Sequence, residues 1–333
     1  MLSLDDATQL ALDACAPLAA EDVAIAEALG RVLQENAVAR RTLPAWDNSA
    51  MDGYALRYAD LPGPLPLGGH IPAGAGTTGT LPDGHCCRIM TGAPLPRGAD
   101  TIVMRENCRE TSGMVSFDPA PVKGRHVRRA GEDTVPGQPI VPGGRPLSPG
   151  DMNMLAAQGY EELRCYRRAQ VALLATGDEL VPLGAPVADG QLINSNAYGL
   201  AAQCTEAGAL PVDAGIVSDS LERTIAAFRS LADYDLVLSC GGVSVGDHDH
   251  VRPALDALGF ELLFWKAAIK PGKPIAVARS PVGQLVVALP GNPASAFVGF
   301  ELFVRPMLRA LHGHRQVRNR WVQLPLDEAI TKK

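Results

Sequence analysis

The chain is poor in aromatic residues, which make up 5% of its 333 positions. It therefore lacks the stacked rings on which single-stranded nucleic acids lie. It has no excess of positive charge: the formal net charge is -6, with Lys and Arg dispersed, which argues against bulk nucleic-acid binding. No apolar run approaches the roughly 20 residues of a bilayer-spanning helix. Nor does Met1-Leu2-Ser3-Leu4-Asp5-Asp6 show the basic-then-apolar order of a signal peptide. The seven cysteines include an adjacent Cys86-Cys87 pair but no C-x-x-C spacing. An odd count without such pairs reads as reduced thiols in a cytoplasmic setting.

A length of 333 residues, 47% of them apolar, implies two or three domains. Residues 3 to 36 read as helical, with Ser3 and Asp6 in capping-box spacing and Pro17 separating two helices. Residues 61 to 150 are dense in Pro and Gly, with short strand-like runs at 86–90, 101–104 and 114–117, the pattern of a small β-rich domain. From residue 166 the rhythm becomes strand, loop, helix, repeated. Alternating β and α units of this size predict a parallel, doubly wound sheet. The expected organisation is an extended N-terminal helical and linker domain (1–44 with 137–166), an inserted β-rich domain (45–136) and an α/β domain (167–315). Residues 316–333 would then begin a further, truncated β-domain, with Trp321 to Leu324 as its first strand.

The stretch Asp235 to His250 organises the chemistry. An apolar strand gives way to Gly241-Gly242 and a polar loop carrying Asp247 and Asp249. A glycine loop at the carboxyl end of such a strand is where open α/β sheets bind ligands, and two carboxylates in one loop suit Mg²⁺. The same edge is expected to collect Gly177-Asp178-Glu179, Asp219 and Pro290-Gly291-Asn292-Pro293. An acid at a strand end also commonly caps the next helix, an alternative open for Asp178 and Asp219. Lys266, Lys270 and Lys273 flank Ile269-Lys270-Pro271-Gly272-Lys273-Pro274, whose prolines restrain the backbone; clustered lysines suit an oxyanion or phosphate, though a solvated turn is the alternative. Gly242 to Gly246 also fits the G-x-S-x-G elbow of serine hydrolases around Ser244. That reading needs a late histidine, and only His312 and His314 qualify.

Taken together and in order, P-A-W-D-N-S-A-M-D-G-Y-A, R-I-M-T-G-A-P, G-E-D, T-G-D-E-L, S-C-G-G-V-S-V-G-D-H-D, K-P-G-K-P and L-P-G-N-P-A-S resemble the MoeA/gephyrin E-domain family of molybdopterin molybdenumtransferases. The resemblance implies that adenylylated molybdopterin and molybdate are substrates, and that AMP leaves in the presence of Mg²⁺. Matched motif by motif, it implies catalytic roles for Asp52, Thr91, Asp133, Glu179, Asp219 and Asp249, with Asp219 and Asp249 near the metal. Substrate would meet Gly241, Gly242, Ser244, Lys266, Lys270, Lys273, Pro274, Pro290, Asn292 and Pro293. It further implies a homodimer in which Asp52 and Thr91 act in trans. Partners would be the pathway's adenylyltransferase and molybdoenzyme maturation proteins, without nucleic acid or membrane. A scaffold role is the alternative that the gephyrin branch suggests. His250 departs from the family, where an aromatic commonly follows the second acid.

Overall fold

A computed structural model describes residues 1–76, 79–243, 249–325 and 327–328. The chain separates into two compact units: residues 1–35, 142–153 and 160 onward form one, and residues 36–141 with 154–159 form the other.

In the first unit, helix α1 spans Leu4–Asp13. Ser3 Oγ accepts from Asp6 N–H at 3.1 Å and donates to Asp6 Oδ2 at 2.6 Å, so the expected cap forms. Helix does not continue to residue 36. Ala20–Ala24 is a strand antiparallel to Glu162–Tyr166, followed by one 3₁₀ turn at Ile25–Glu27. The partner lies some 140 residues away, so local apolar spacing could not register it; tertiary pairing overrides helical propensity here.

The second unit is built on a six-stranded sheet. Its strands are β1 (Gly53–Leu56), β2 (Leu65–Ile71), β3 (Cys86–Ile89), β4 (Thr101–Met104), β5 (Cys108–Thr111) and β6 (Met114–Phe117), in the order β4-β1-β3-β2-β6-β5. Tyr54, Leu56, Cys86 and Val103 pack on one face, and Ala55, Cys87, Ile89 and Ile102 on the other. Alternate residues of each strand thus serve opposite cores. Gly53 is required by that packing, since a Cβ there would lie 2.0 Å from the Val103 carbonyl oxygen.

The α/β sheet of the first unit has strands β7 (Gln170–Thr176), β8 (Leu210–Val217), β9 (Leu236–Cys240), β10 (Glu261–Trp265), β11 (Ala276–Arg279) and β12 (Leu285–Leu289), in the order β8-β7-β9-β12-β11-β10. It is mixed rather than fully parallel: β8, β7, β9 and β12 run parallel, whereas β11 is antiparallel to both neighbours. The connections explain the difference. Neither 266–275 nor 280–284 carries the helix that a parallel crossover needs, so both close antiparallel hairpins.

The helices are α2 (Ser195–Glu206), α3 (Leu221–Ser230), α4 (Val251–Ala257), α5 (Pro293–Gly299) and α6 (Arg305–Leu311). Leu200 and Cys204 of α2, Ala296 of α5 and Leu308 of α6 cover Val171 and Leu173, with Ala7 and Ala11 of α1. Phe228 of α3 and Ala254 and Leu255 of α4 cover Ala172 and Leu174 on the reverse face. A π turn at Phe300–Val304 joins α5 to α6. Pro306 lacks an N–H for the Leu302 carbonyl and would crowd it in a regular helix, and the wider turn relieves that conflict. Trp321 to Leu324 form no strand and have no hydrogen-bonded neighbour strand among the described residues. Among those residues no helix is long and apolar enough to cross a membrane.

Candidate active site

The chain leaves β7 for β8 through α2 on one face, then returns to β9 through α3 on the other. The carboxyl ends of β7 and β9 are therefore the switch point at which such sheets bind ligands. Here Gly241 (φ 97°) follows β9, and a Cβ at this position would stand 2.5 Å from the Thr176 carbonyl oxygen. Only glycine fits at this approach. Gly291 lies near Gly241, since a Cβ added to it would stand 3.8 Å from the Gly241 Cα. Gly272 (φ 100°) is buried, and a Cβ there would meet Ile269 and, at 3.5 Å, the Ser295 carbonyl oxygen. These approaches bring the G-G, P-G-N-P and K-P-G-K-P loops side by side. Because β10 is parallel to β12 through the antiparallel β11, the lysine loop opens on this same edge.

The edge has a charge order. Asp219 follows β8, Asp178 and Glu179 follow β7, Asp249 lies beyond β9, and the lysines lie between β10 and β11. With strands about 4.8 Å apart, acids and lysines are separated along an edge of roughly 20 Å. Asp178 Oδ1 accepts from Asp219 N–H at 3.1 Å, joining the two outermost loops. Ser220, not Asp219, stands at the N-cap of α3, and it makes no side-chain cap bond among the described residues. The Glu179 carboxylate folds back over Gly177.

Four buried side-chain oxygens lack hydrogen-bond partners among the described residues. Three of them, Thr176 Oγ1, Ser239 Oγ and Asp249 Oδ1, lie at the ends of β7 and β9 or just beyond. A buried unpaired oxygen is costly and marks a place built for something else. Burial pushes the Asp249 carboxyl up to about 6, against the opposing pull of the Val251 and Arg252 N–H groups and the charge of His250. An anion destabilised in this way is one that a bound cation would stabilise. Among the described residues no three His, Cys, Asp or Glu side chains cluster as a metal-binding group. Mg²⁺ does not need such a cage, because it is commonly held by one or two carboxylates with substrate phosphates. The donors at this edge fit that ion.

Lys266 holds a left-handed backbone (φ 85°), with its N–H donated to Ile275 O at 2.8 Å. Lys270 and Lys273 are exposed, and Lys266 is half-buried. Asn292 has a structural task, its Oδ1 accepting from Ser295 N–H at 3.3 Å to cap α5, where Pro293 occupies the first turn. Pro290 O accepts from the Cys240 thiol at 3.3 Å, and Pro274 is half-buried beside Ile275. Sequence reasoning missed Asn196. Its Nδ2 donates to Gly291 O at 2.8 Å and contacts Cys240 Sγ at 2.9 Å, tying the start of α2 to two site loops. Its place in Asn194-Ser195-Asn196 reads locally as helix capping, and Asn194 does cap α2. Ser244 and Asp247 lie outside the described residues.

In the other unit, register pairs Gly53 with Ile89, which brings the residues before β1 and after β3 together. Asp52 Oδ1 accepts from Thr91 N–H at 2.7 Å and Thr91 Oγ1 at 2.8 Å. The Thr91 backbone and hydroxyl bonds hold the Asp52 carboxyl below its usual range, with smaller help from Arg105 and Arg88. Both residues are exposed. Asp133 is bound instead by Arg128, at 2.6 and 2.7 Å.

Of the hydrolase reading, Ser244 lies outside the described residues, and the histidine it needs is placed away from this edge. His312 is buried at the other end of β7, where its Nε2 accepts from Ala169 N–H at 2.9 Å.

A glycine-lined switch point with acids at one end and lysines at the other is an arrangement suited to an extended phosphorylated ligand. Residues 2–159 match the MoeA N-terminal region (domain I and II), and residues 172–310 match the probable molybdopterin binding domain. The chain is 36% identical to a molybdopterin molybdenumtransferase of Haemophilus influenzae, over 99% of this chain and 81% of that protein. It is 40% identical to one from a Nostoc species, over 85% and 67% respectively. A molybdopterin biosynthesis MoeA protein from Pyrococcus horikoshii superposes with a TM-score of 0.80 at 28% identity, covering 95% of this chain and 81% of that one. The chain belongs to the MoeA family of molybdopterin molybdenumtransferases, enzymes of molybdenum cofactor biosynthesis.

Proposed function

We propose that the chain inserts molybdate into adenylylated molybdopterin with Mg²⁺-dependent release of AMP. The Asp249 carboxylate, disfavoured as a charge and with a buried Oδ1 that has no partner among the described residues, on a glycine-lined edge that ends in three lysines, is the observation that carries this reading. The adenylylated substrate lies along the edge, its phosphates over Gly241 and Gly242 and beside Pro290 and Pro293. Asp249, with Asp219 from two strands away, would hold Mg²⁺, which when bound would neutralise charge on the phosphates of the phosphoanhydride. Lys266, Lys270 and Lys273 concentrate molybdate by charge, with no covalent intermediate on the protein. Glu179 and Asp178 bound the adenylyl end. The molecule works as a cytoplasmic homodimer in which the Asp52–Thr91 pair of one subunit completes the site of the other.

The test is AMP release from adenylylated molybdopterin, with molybdate varied. Release that saturates with molybdate, and needs much more of it after Lys270→Ala with Lys273→Ala, is expected. Release indifferent to molybdate contradicts the reading.

A further inference from the structure

A second concentration of positive charge lies at the end of the α/β sheet opposite the candidate active site. A cavity of about 380 Å³ in the first unit is lined by Arg31, Arg168, Arg305, Arg309, His312 and His314, with Glu206 the one carboxylate in its wall. The charges are unevenly matched. Arg305 is paired with Glu206 at 2.7 Å and with Glu301, and Arg31 with Glu21. Arg309 hydrogen-bonds only neutral groups, Val317 O at 3.3 Å and Asn319 Oδ1 at 2.9 Å, with Glu301 near enough to act on its charge without pairing to it. Arg168 has no ion pair among the described residues, since Asp235 is taken by the neighbouring Arg167. Two guanidiniums are thus without an ion pair, and the four arginines outnumber the carboxylates Glu21, Glu206 and Glu301 by one.

Helix carbonyls do not account for them. The ends of α2 and α6 face the cavity, but Gly208 and Ala209 N–H already meet Thr205 and Cys204 O. Gly313 and His314 N–H meet Ala310 and Arg309 O. One donor on a largely buried ring is also directed here. Because Ala169 N–H donates to His312 Nε2, the proton of the neutral ring sits on Nδ1. His312 is 6% exposed, and Nδ1 lies on the Gly208 side of the ring, 3.9 Å from where a Cβ there would stand. It has no partner among the described residues. Arginine forks and a fixed N–H donor are the groups that bind phosphate oxygens. The cavity exceeds what a bare tetrahedral oxyanion fills and falls in the range of small-molecule sites. Leu29, Pro146 and Ala207 supply apolar wall beside the cations.

We propose that this cavity binds a phosphate monoester of a small organic molecule, its phosphate held by Arg168, Arg309 and the His312 Nδ1–H. The site is distinct from the catalytic edge, and it stands whether or not AMP is the product formed there.

The experiment is calorimetric titration of the full chain with AMP, adenosine and inorganic phosphate. The background is Lys270→Ala with Lys273→Ala, which removes basic residues of the catalytic edge. AMP is expected to bind, phosphate to bind more weakly and adenosine not at all. Adding Arg168→Glu, or Arg309→Gln, should weaken AMP by about tenfold or more, the usual size of a charge-assisted contact. Arg168 is exposed, so its variant retains the fold, which circular dichroism checks. Phosphate binding as tightly as AMP would assign the site to the free anion. AMP binding unchanged by Arg168→Glu and Arg309→Gln, adenosine binding equal to AMP, or no AMP binding at all would each overturn the proposal.

Discussion

Substituting alanine for single glycines separates strain from steric exclusion at the catalytic edge. Gly241, Gly242 and Gly283 all have positive φ, at 97°, 63° and 96°. A non-glycine residue in that region costs about 1–2 kcal/mol in each case. The neighbours differ. A Cβ at Gly283 meets nothing within 4 Å, whereas at Gly242 it meets Thr176 Oγ1 and Val251 Cγ2 at 3.0 Å, both on side chains. At Gly241 it meets the Thr176 carbonyl oxygen at 2.5 Å, in the middle of a sheet. Backbone there cannot yield without distorting β7, so overpacking adds about 1–3 kcal/mol. Gly241→Ala should therefore cost about 2–5 kcal/mol, Gly242→Ala less, and Gly283→Ala about 1–2 kcal/mol. For a unit of this size, each kcal/mol lowers Tm by roughly 2–4 °C. Thermal unfolding of the three proteins gives the order directly, and AMP release should fail in Gly241→Ala below its unfolding temperature. Equal Tm losses for Gly241→Ala and Gly283→Ala would refute the close approach that shapes the edge.

Burial lowers the His312 pKa from 6.5 to about 4, so the folded state binds fewer protons than the unfolded one between those values. Stability is full above about pH 6.5 and falls as pH drops toward 4, by roughly 3 kcal/mol. His312→Gln, which retains an acceptor for Ala169 N–H, should flatten the pH dependence of urea unfolding, and an unchanged slope would count against it. Thr91→Val removes the hydroxyl bond to Asp52 while the backbone bond remains. The Asp52 carboxyl should then titrate at higher pH by NMR, and no change would show that the hydroxyl is irrelevant. Asn196→Ala frees the Gly291 carbonyl and should raise KM for the adenylylated substrate with little change in Tm; an equal loss of both would make Asn196 merely structural.

Much of the α/β unit is legible in the sequence because its information is local. Apolar strands such as Leu236–Cys240 and Leu285–Leu289 are buried on both faces, and glycine ends each one. Ala20–Ala24 is illegible for the opposite reason: its partner Glu162–Tyr166 is far along the chain. The direction of β11 was readable in principle, since no helix fits in 280–284, yet the α/β rhythm before it dominates the reading. Asp52 and Thr91 stand 39 positions apart and meet only through the Gly53–Ile89 register. Asn196 resembles a cap, and only the folded chain reveals that Gly291 O and Cys240 Sγ are its partners. The excess charge around His312 came from three separate segments, and no linear motif records it.

The central claim is that a cation held at Asp249 neutralises phosphate charge during AMP release. It is tested most directly by titrating Mg²⁺ into AMP release by the wild-type chain and by Asp249→Asn, with adenylylated molybdopterin and molybdate present. The account predicts that Asp249→Asn binds the adenylylated substrate but needs at least about tenfold more Mg²⁺, the cost of losing a charged ligand contact. An Asp249→Asn protein with the wild-type Mg²⁺ requirement and rate would contradict it.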